Sequence, residues 1–345
     1  MTLTVVVLAG GRSSEHDVSL SSGAAVRDGL IEAGHEVVWV EIGRDGVWRE
    51  DARELSVTPG GGLLDADVVF PVLHGPYGED GTVQGLLETL DVPYVGAGVA
   101  ASALCLDKVL FKELMSARGL PQVDYVGVRA ERLEDEREQL LGAIARLGLP
   151  VVVKPAHLGS SVGIVKAQTP GEVEGALEHA LGYDERVIVE AAAAGMEVEC
   201  GVLGTLAGEA GVGAGAFASE PGEIAFTGEF YDFASKYAPG GMELMIPARI
   251  SASARERVKS LAIAAFAAAD CAGLARVDFF VSSPPQGGQE RVLVNELNTM
   301  PGFTPTSVYA KLLAASGVAY PDLLDRLCRL GIERHARRRQ HATPT

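Results

Sequence analysis

The stretch from Arg276 to Gly302 constrains this chain most. It reads Ala-Arg276-Val-Asp278-Phe-Phe-Val, then a Pro/Gly-rich break over 282–289, then Arg-Val-Leu-Val-Asn295-Glu296-Leu-Asn298-Thr-Met-Pro301-Gly302. Two β-rich runs around such a break predict a hairpin. Folded near Gln286–Gly287, it sets Asp278 opposite Glu296 and Arg276 near Asn298. Side chains alternate along a strand, so Glu296 and Asn298 share a face, and Val292 and Val294 are expected further back on that same face. Three oxygen donors without Cys or His suit Mg²⁺ or Mn²⁺ rather than zinc. A lone acidic pair on a strand is more often a solvated end beside a surface arginine; the rest of the chain reverses that balance.

The chain has 345 residues, enough for two or three domains. A net charge of −17 argues against nucleic-acid or membrane-surface partners and means that an anionic substrate needs a local cationic pocket. Only seven of the 29 basic residues are lysine, so each lysine in a buried pattern is informative. Cys105, Cys200, Cys271 and Cys328 are scattered without a C-x-x-C, which fits reduced thiols in the cytoplasm. The first residues lack a cationic lead and read as a buried strand, not a signal peptide; Ala262–Ala269 is too short to span a bilayer.

Thr4–Leu8 predicts a buried strand, followed by Gly10-Gly11 and a helix to about Ala33, capped by Ser or Asp. His35–Val40 is the next strand, and this β-α-β opening suggests a parallel sheet. Asp67–Leu73 predicts another strand, ending at His74-Gly75, then a helix over 82–90 and a strand at Val92–Val95 that closes a first domain near residue 100. Glu15 and His74 both fall just past strand carboxyl ends, where open α/β sheets bind ligands.

Gly96-Ala97-Gly98-Val99-Ala100-Ala101 matches a dinucleotide fingerprint, but the acidic residue expected about twenty positions on is poorly matched. The pattern recurs at Gly213–Ala218, and a chain with 42 glycines makes it cheaply. No P-loop motif occurs. The helix expected over 101–118 carries Asp107-Lys108 and Lys112, and a further amphipathic helix is expected over 135–146. A β-rich run from Pro150 then delivers Lys154 to His157-Leu-Gly159-Ser160-Ser161-Val-Gly163, and a second strand follows at once. Small residues let backbone N–H groups approach an anion, so this is a strand–loop–strand phosphate clamp. Val187–Glu190 is a strand ending in an acid, with Glu197 shortly after, and reads as an interdomain hinge. Phe230-Tyr-Asp-Phe-Ala-Ser-Lys236-Tyr237 lies in a long aromatic loop and reads as a lid. A long Ala-rich helix is expected over 251–272. The basic run Arg334–His341 reads as a disordered tail.

Taken together and in this order, Glu15, His74, Lys108, Lys154, Gly159-Ser160-Ser161, Lys236-Tyr237, Arg276, Asp278, Glu296 and Asn298 make the chain resemble the D-alanine–D-alanine ligases of the ATP-grasp superfamily over residues 3 to about 330. The resemblance implies a mixed α/β and α+β architecture with the ATP-grasp fold. Residues 1–100 would form a parallel-sheet domain binding the first substrate. Residues 101–195 would form a central subdomain with the phosphate loop, and 196–345 a C-terminal subdomain with lid, metal site and second-substrate site. ATP would lie between two antiparallel sheets, in a cytoplasmic homodimer that makes a peptidoglycan precursor.

Carried over residue by residue, Lys108 and Lys154 hold the α/β-phosphates, with Ser160 and Ser161 on the phosphate loop, and Lys236 reaches the γ-phosphate. Glu190 and Glu197 take adenine and ribose. Asp278, Glu296 and Asn298 bind two Mg²⁺ or Mn²⁺. Glu15 and Ser160 orient the first D-alanine, with His74 nearby. Arg276 and the Gly302 N–H meet the oxyanion, and Ser307 the second carboxylate. The implied chemistry is an acyl phosphate made from the first D-alanine and attacked by the amine of the second, with a lid excluding water. The sequence departs from the family at Ala191–Ala194, where the family carries Lys and bulky residues, which weakens the side-chain cap over adenine. Tyr237 favours dipeptide formation over the D-lactate ester, for which relatives carry Phe. The competing readings are a D-alanine–D-lactate or other ATP-grasp ligase, a nicotinamide-dependent oxidoreductase, and a nucleotide-binding module without turnover.

Overall fold

A computed structural model describes residues 1–205, 215–226, 242–283 and 288–340 of the chain. Three sheets organise it. The first has strand order β4-β3-β2-β1-β5, built from β1 (Thr4–Gly10), β2 (Glu36–Ile42), β3 (Trp48–Glu50), β4 (Arg53–Glu54) and β5 (Val68–Pro71). β1 runs parallel to β2 and β5, as the β-α-β opening requires. Both faces of β1 are covered, which is why it reads as an unbroken apolar run. Val5 and Val7 pack with Val26 and Leu30 of α1 (His16–Glu32), whereas Val6 and Leu8 pack with Val83 and Leu87 of α2 (Thr82–Thr89). Val92–Val95 forms no ladder strand; Tyr94 makes only a single parallel bridge to Val69. Pro93, which has no N–H to donate, falls within that run.

The helix expected over 101–118 is two helices, α3 (Val99–Leu106) and α4 (Lys108–Ala117). Asp107 leaves the helical conformation and caps α4, accepting from the N–H groups of Val109 at 2.9 Å and Leu110 at 3.0 Å. Its local bond offers the backbone an alternative to continuing the helix. The helix expected over 135–146 forms as α6 (Arg137–Ala145), and a separate short helix, α5 (Ala130–Asp135), precedes it.

The second sheet has order β6-β9-β7-β8 and is antiparallel throughout: β6 (Tyr125–Arg129), β7 (Val151–Pro155), β8 (Val165–Ala167) and β9 (Arg186–Ala191). One face, carrying Val151, Val153, Val187 and Val189, packs on α6 and α7 (Pro170–Leu181). Alternation therefore turns Lys154 and Glu190 to the opposite face.

The third sheet has order β13-β12-β10-β14-β15, with β11 also on β10. Its strands are β10 (Met196–Gly204), β11 (Ala216–Ala218), β12 (Gly222–Phe226), β13 (Met242–Met245), β14 (Gly273–Ser282) and β15 (Arg291–Asn298). Val198, Cys200, Val277 and Phe279 pack on Val258, Leu261 and Ala265 of α8 (Ala252–Ala268). That leaves Glu197, Glu199, Arg276 and Asp278 on the other face.

The hairpin forms as expected, with Asp278 paired to Glu296 and Arg276 to Asn298. The expectation for Val292 and Val294 fails. The register shifts between Asp278 and Phe279, so that Phe279 pairs with Val294 and Asn295 is the extra residue of a bulge. One inserted residue inverts the alternation. Val292, Val294 and Leu297 face the core under α8, while Glu296 and Asn298 face away from it.

After β15 come α9 (Val308–Ala315) and α10 (Tyr320–Gln340). The basic run expected to be a disordered tail is helical through Gln340, and its acidic partners are within the chain. Arg334 sits 4.1 Å over the Tyr94 ring and donates to the Gly96 carbonyl, while Arg338 meets Glu88 and His335 lies 3.0 Å from Asp91. Leu323, Leu324 and Leu327 join Val5, Val7 and Phe70 in one core. Among the described residues, no helix is long and apolar enough to cross a membrane.

Candidate active site

A cavity of about 1080 Å³ is lined by strands of the second and third sheets, by α1 and by the loops that follow strands of the first sheet. β1 ends at Gly10, whose left-handed φ of 96° and close approach to the Ile42 carbonyl leave no room for a side chain. The chain then turns into α1, whose first flanking residue is Glu15 rather than the expected Ser or Asp. Glu15 does not cap its own helix; its carboxylate accepts from the Ser160 hydroxyl of the glycine/serine loop. Ser160 and Ser161 both lie in the left-handed region, with φ of 50° and 60°. Such conformations cost about 1–3 kcal/mol each and persist where neighbours fix them.

His74 and Glu79 both lie in the loop between β5 and α2. The ring nitrogens of His74 are both engaged, Nδ1 with the Met300 carbonyl at 3.0 Å and Nε2 with the Ser22 hydroxyl at 3.3 Å. Burial pushes the imidazole pKa down, so it is neutral. Glu79 accepts from the N–H of Gly75 at 2.9 Å and of Met300 at 3.1 Å. Met300 is thus held by its carbonyl and its N–H from one loop, which fixes the peptide leading to Gly302. Burial first, then the nearby Glu15 charge, push the Glu79 carboxyl up to about 8. Ser307 flanks α9; its hydroxyl accepts from the Thr304 N–H at 3.0 Å, and a side chain at Gly302 would meet it at 3.3 Å.

The cationic wall comes from α4 and β7. Lys108 donates to the Leu158 carbonyl at 2.5 Å, and burial lowers its pKa. Lys154 lies 2.6 Å from the Glu190 carboxylate, and Lys112 lies 2.9 Å from the other oxygen. Burial opposes the charge on Glu190, but the two lysines outweigh it and hold the carboxyl down at about 2. The Glu190 carboxylate is therefore occupied by protein cations. His157 carries the loop at its other end, with Nδ1 2.9 Å from Asp184 and Nε2 3.2 Å from Asp107. Hydrogen bonds to these two carboxylates raise it to about 9. Arg186 adds a 2.5 Å contact to Asp107.

Facing this wall in the same cavity are Glu197, Arg276, Asp278, Glu296 and Asn298. Arg276 grips both oxygens of Asp278 at 2.8 Å and Glu199 at 2.8 Å. Burial opposes its charge, and the Asp278 and Glu199 carboxylates more than offset this, raising the guanidinium pKa well above its ordinary value. Asn298 donates to Asp278 at 3.0 Å. Among the described residues no three His, Cys, Asp or Glu side chains form a self-sufficient cage. Two carboxylates and an amide suit an ion that keeps water and phosphate oxygens as its other ligands, which is how Mg²⁺ is held.

The cavity thus gathers Glu15, His74, Lys108, Lys154, Ser160, Ser161, Glu190, Glu197, Gly302 and Ser307 with the hairpin group. Lys236 and Tyr237, and the lid they were read from, lie outside the described residues. Sequence reading assigned no role to Glu79, Glu199 or Lys112. Glu199 had a signal: it stands two residues from Glu197, hence on the same face of β10. The Gly96–Ala101 segment does not line the cavity, and the Gly96 carbonyl accepts from Arg334.

Comparison with known proteins agrees. Two family models match, described as D-ala D-ala ligase N-terminus over residues 4–61 and 50–97 and D-ala D-ala ligase C-terminus over residues 114–329. A D-alanine–D-alanine ligase of Deinococcus radiodurans is 43% identical over 350 residues, covering 96% of this chain and 99% of the relative. One from Frankia casuarinae is 42% identical and covers 96% of each chain. The solved D-alanine–D-alanine ligase of Coxiella burnetii superposes with a TM-score of 0.83 at 34% identity, over 98% of this chain and 96% of that one. VanG D-Ala:D-Ser ligase from Enterococcus faecalis also gives 0.83, at 31% identity, over 96% of this chain and all of its own.

Proposed function

The chain belongs to the D-alanine–D-alanine ligase family, and from that premise we propose that its cleft joins two D-alanine molecules with ATP as the phosphoryl donor, for peptidoglycan precursor synthesis. One observation carries the reading. The glycine/serine loop with its lysines and the acidic face of the β14–β15 hairpin line one cavity.

A carboxylate is a poor electrophile. Transfer of the γ-phosphoryl group to the first D-alanine makes an acyl phosphate and ADP; the second amine attacks, and phosphate leaves from the tetrahedral intermediate. Such transfer needs positioning and charge neutralisation more than a covalent nucleophile. Glu15 and Ser160 hold the first ammonium group. Lys108 and Lys154 face the α/β-phosphates along the Ser160–Ser161 loop, and Lys236 serves the γ-phosphate. Arg276 and the Gly302 N–H point to the oxyanion, a type of contact worth about 2.7–4 kcal/mol. Ser307 receives the second carboxylate, and Tyr237 favours the dipeptide over the ester. His74 acts by holding Met300. Because the Glu190 carboxylate is engaged by lysines, the adenine amine is met by backbone near 190–194, and Glu197 takes the ribose. Asp278, Glu296 and Asn298 hold two Mg²⁺ or Mn²⁺ ions. When bound, the ions neutralise phosphate charge and polarise the phosphoryl group.

The same reading makes residues 1–100, 101–195 and 196–345 the three functional domains of a cytoplasmic homodimer. Acceptor choice rests on side chains, since one architecture also serves a D-Ala:D-Ser ligase. Phosphate release from Mg-ATP should require D-alanine and yield the dipeptide, with D-serine and D-lactate as weaker acceptors. Phosphate release indifferent to D-alanine would overturn the assignment.

A further inference from the structure

Lys112 takes no part in the chemistry above and does not line the cavity. It is 1% exposed, on a helix whose other buried positions are Val109, Phe111 and Met115. An apolar residue would pack there without desolvating a charge, and an ion is buried at a cost unless it is paired. Its partner is Glu190, which it meets 2.9 Å from one carboxylate oxygen, off the direction of a hydrogen bond. Lys154 holds the other oxygen at 2.6 Å. Two cations share one anion, so the group keeps one net positive charge in a protein of net charge −17.

We propose that Lys112 is a positioning residue for the nucleotide: it neutralises Glu190 from behind, so that the charge of Lys154 stays available to the triphosphate. Without Lys112, Glu190 and Lys154 close into a neutral pair that an incoming phosphate must break. The proposal rests on ATP being the substrate that Lys154 faces.

Wild type, Lys112→Met, Glu190→Gln and the double variant separate the possibilities. Binding of a non-hydrolysable Mg-ATP analogue by calorimetry and KM for ATP and D-alanine are the readouts. In the wild-type background, Lys112→Met should weaken nucleotide binding and raise KM for ATP by about tenfold or more, with KM for D-alanine changed less than about twofold. In the Glu190→Gln background, where no carboxylate remains to capture Lys154, the same substitution should change nucleotide affinity less than about twofold. That second comparison holds even if Lys112→Met alone folds poorly. Equal losses in both backgrounds, or an unchanged nucleotide affinity in Lys112→Met, overturn this inference and leave the ligase reading intact. Failure of the wild type to bind the analogue overturns both.

Discussion

The hydroxyl of Ser160 donates to the carboxylate of Glu15, closing two loops 145 residues apart onto one another within the cleft. A hydrogen bond to a charged group contributes about 1.5–3 kcal/mol. Ser160→Ala should therefore raise KM for D-alanine by about 10- to 100-fold and KM for ATP much less, measured by phosphate release while each substrate is varied. Equal effects on both substrates would detach this contact from the first amino-acid site.

Glu79 should make stability depend on pH with a recognisable sign. Its folded pKa is raised from 4.5 to about 8, so between these values the folded state binds more proton than the unfolded state. That contribution is complete below the unfolded value and is lost as pH rises through the folded one. Glu79→Gln, which imitates the protonated acid, should gain Tm relative to wild type between about pH 5 and about pH 9. A difference independent of pH would count against a neutral Glu79.

His157 carries an independent signature. Its pKa is raised from 6.5 to about 9 by the carboxylates of Asp107 and Asp184. The stability it adds is complete below the unfolded value and disappears as pH rises through the folded one. The ring is 42% exposed, so screening makes the effect modest. His157→Gln should lower Tm at about pH 6 and converge on wild type above about pH 9. A Tm loss that persists at high pH would mean packing rather than charge.

Asp278 is held by Arg276 and faces the proposed ion site. A ligand that binds only the folded state stabilises it, by about 2.7 kcal/mol at a hundredfold excess over Kd. The wild-type Tm should rise with a non-hydrolysable ATP analogue plus Mg²⁺, and chelation should abolish the rise. Asp278→Asn should lose most of this shift and about 10²–10³ of turnover. A full shift in that variant would move the ion site elsewhere.

Much of this was legible in residues alone, because period and turn chemistry are local. The Asp278–Glu296 pairing followed from hairpin length, and the strand–loop–strand clamp around Ser160 from its glycines and serines. What escaped depends on distant partners or single insertions. The bulge at Asn295 reverses the face of Val292 and Val294, yet an asparagine inside a strand announces nothing. Asp107 breaks a continuous helical pattern, and its second oxygen serves His157 and Arg186, which lie 50 and 79 residues on. The arginines of α10 read as a solvated tail until Glu88, Asp91 and Tyr94 are placed beside them. Lys112 looks like one more helical lysine until Glu190 of the cleft is placed beside it.

The packing of α10 against β1 and β5 has a temporal consequence. Val5, Val7 and Phe70 emerge early in synthesis, whereas Leu323, Leu324 and Leu327, which share their core, are made hundreds of residues later. One side of this sheet, covered at first by α1 alone, stays incompletely packed until Leu327 has left the ribosome, and such long-range closure is slow and exposed to aggregation. The platform that carries Glu15 is therefore made well before the residues that complete its core and let it become rigid.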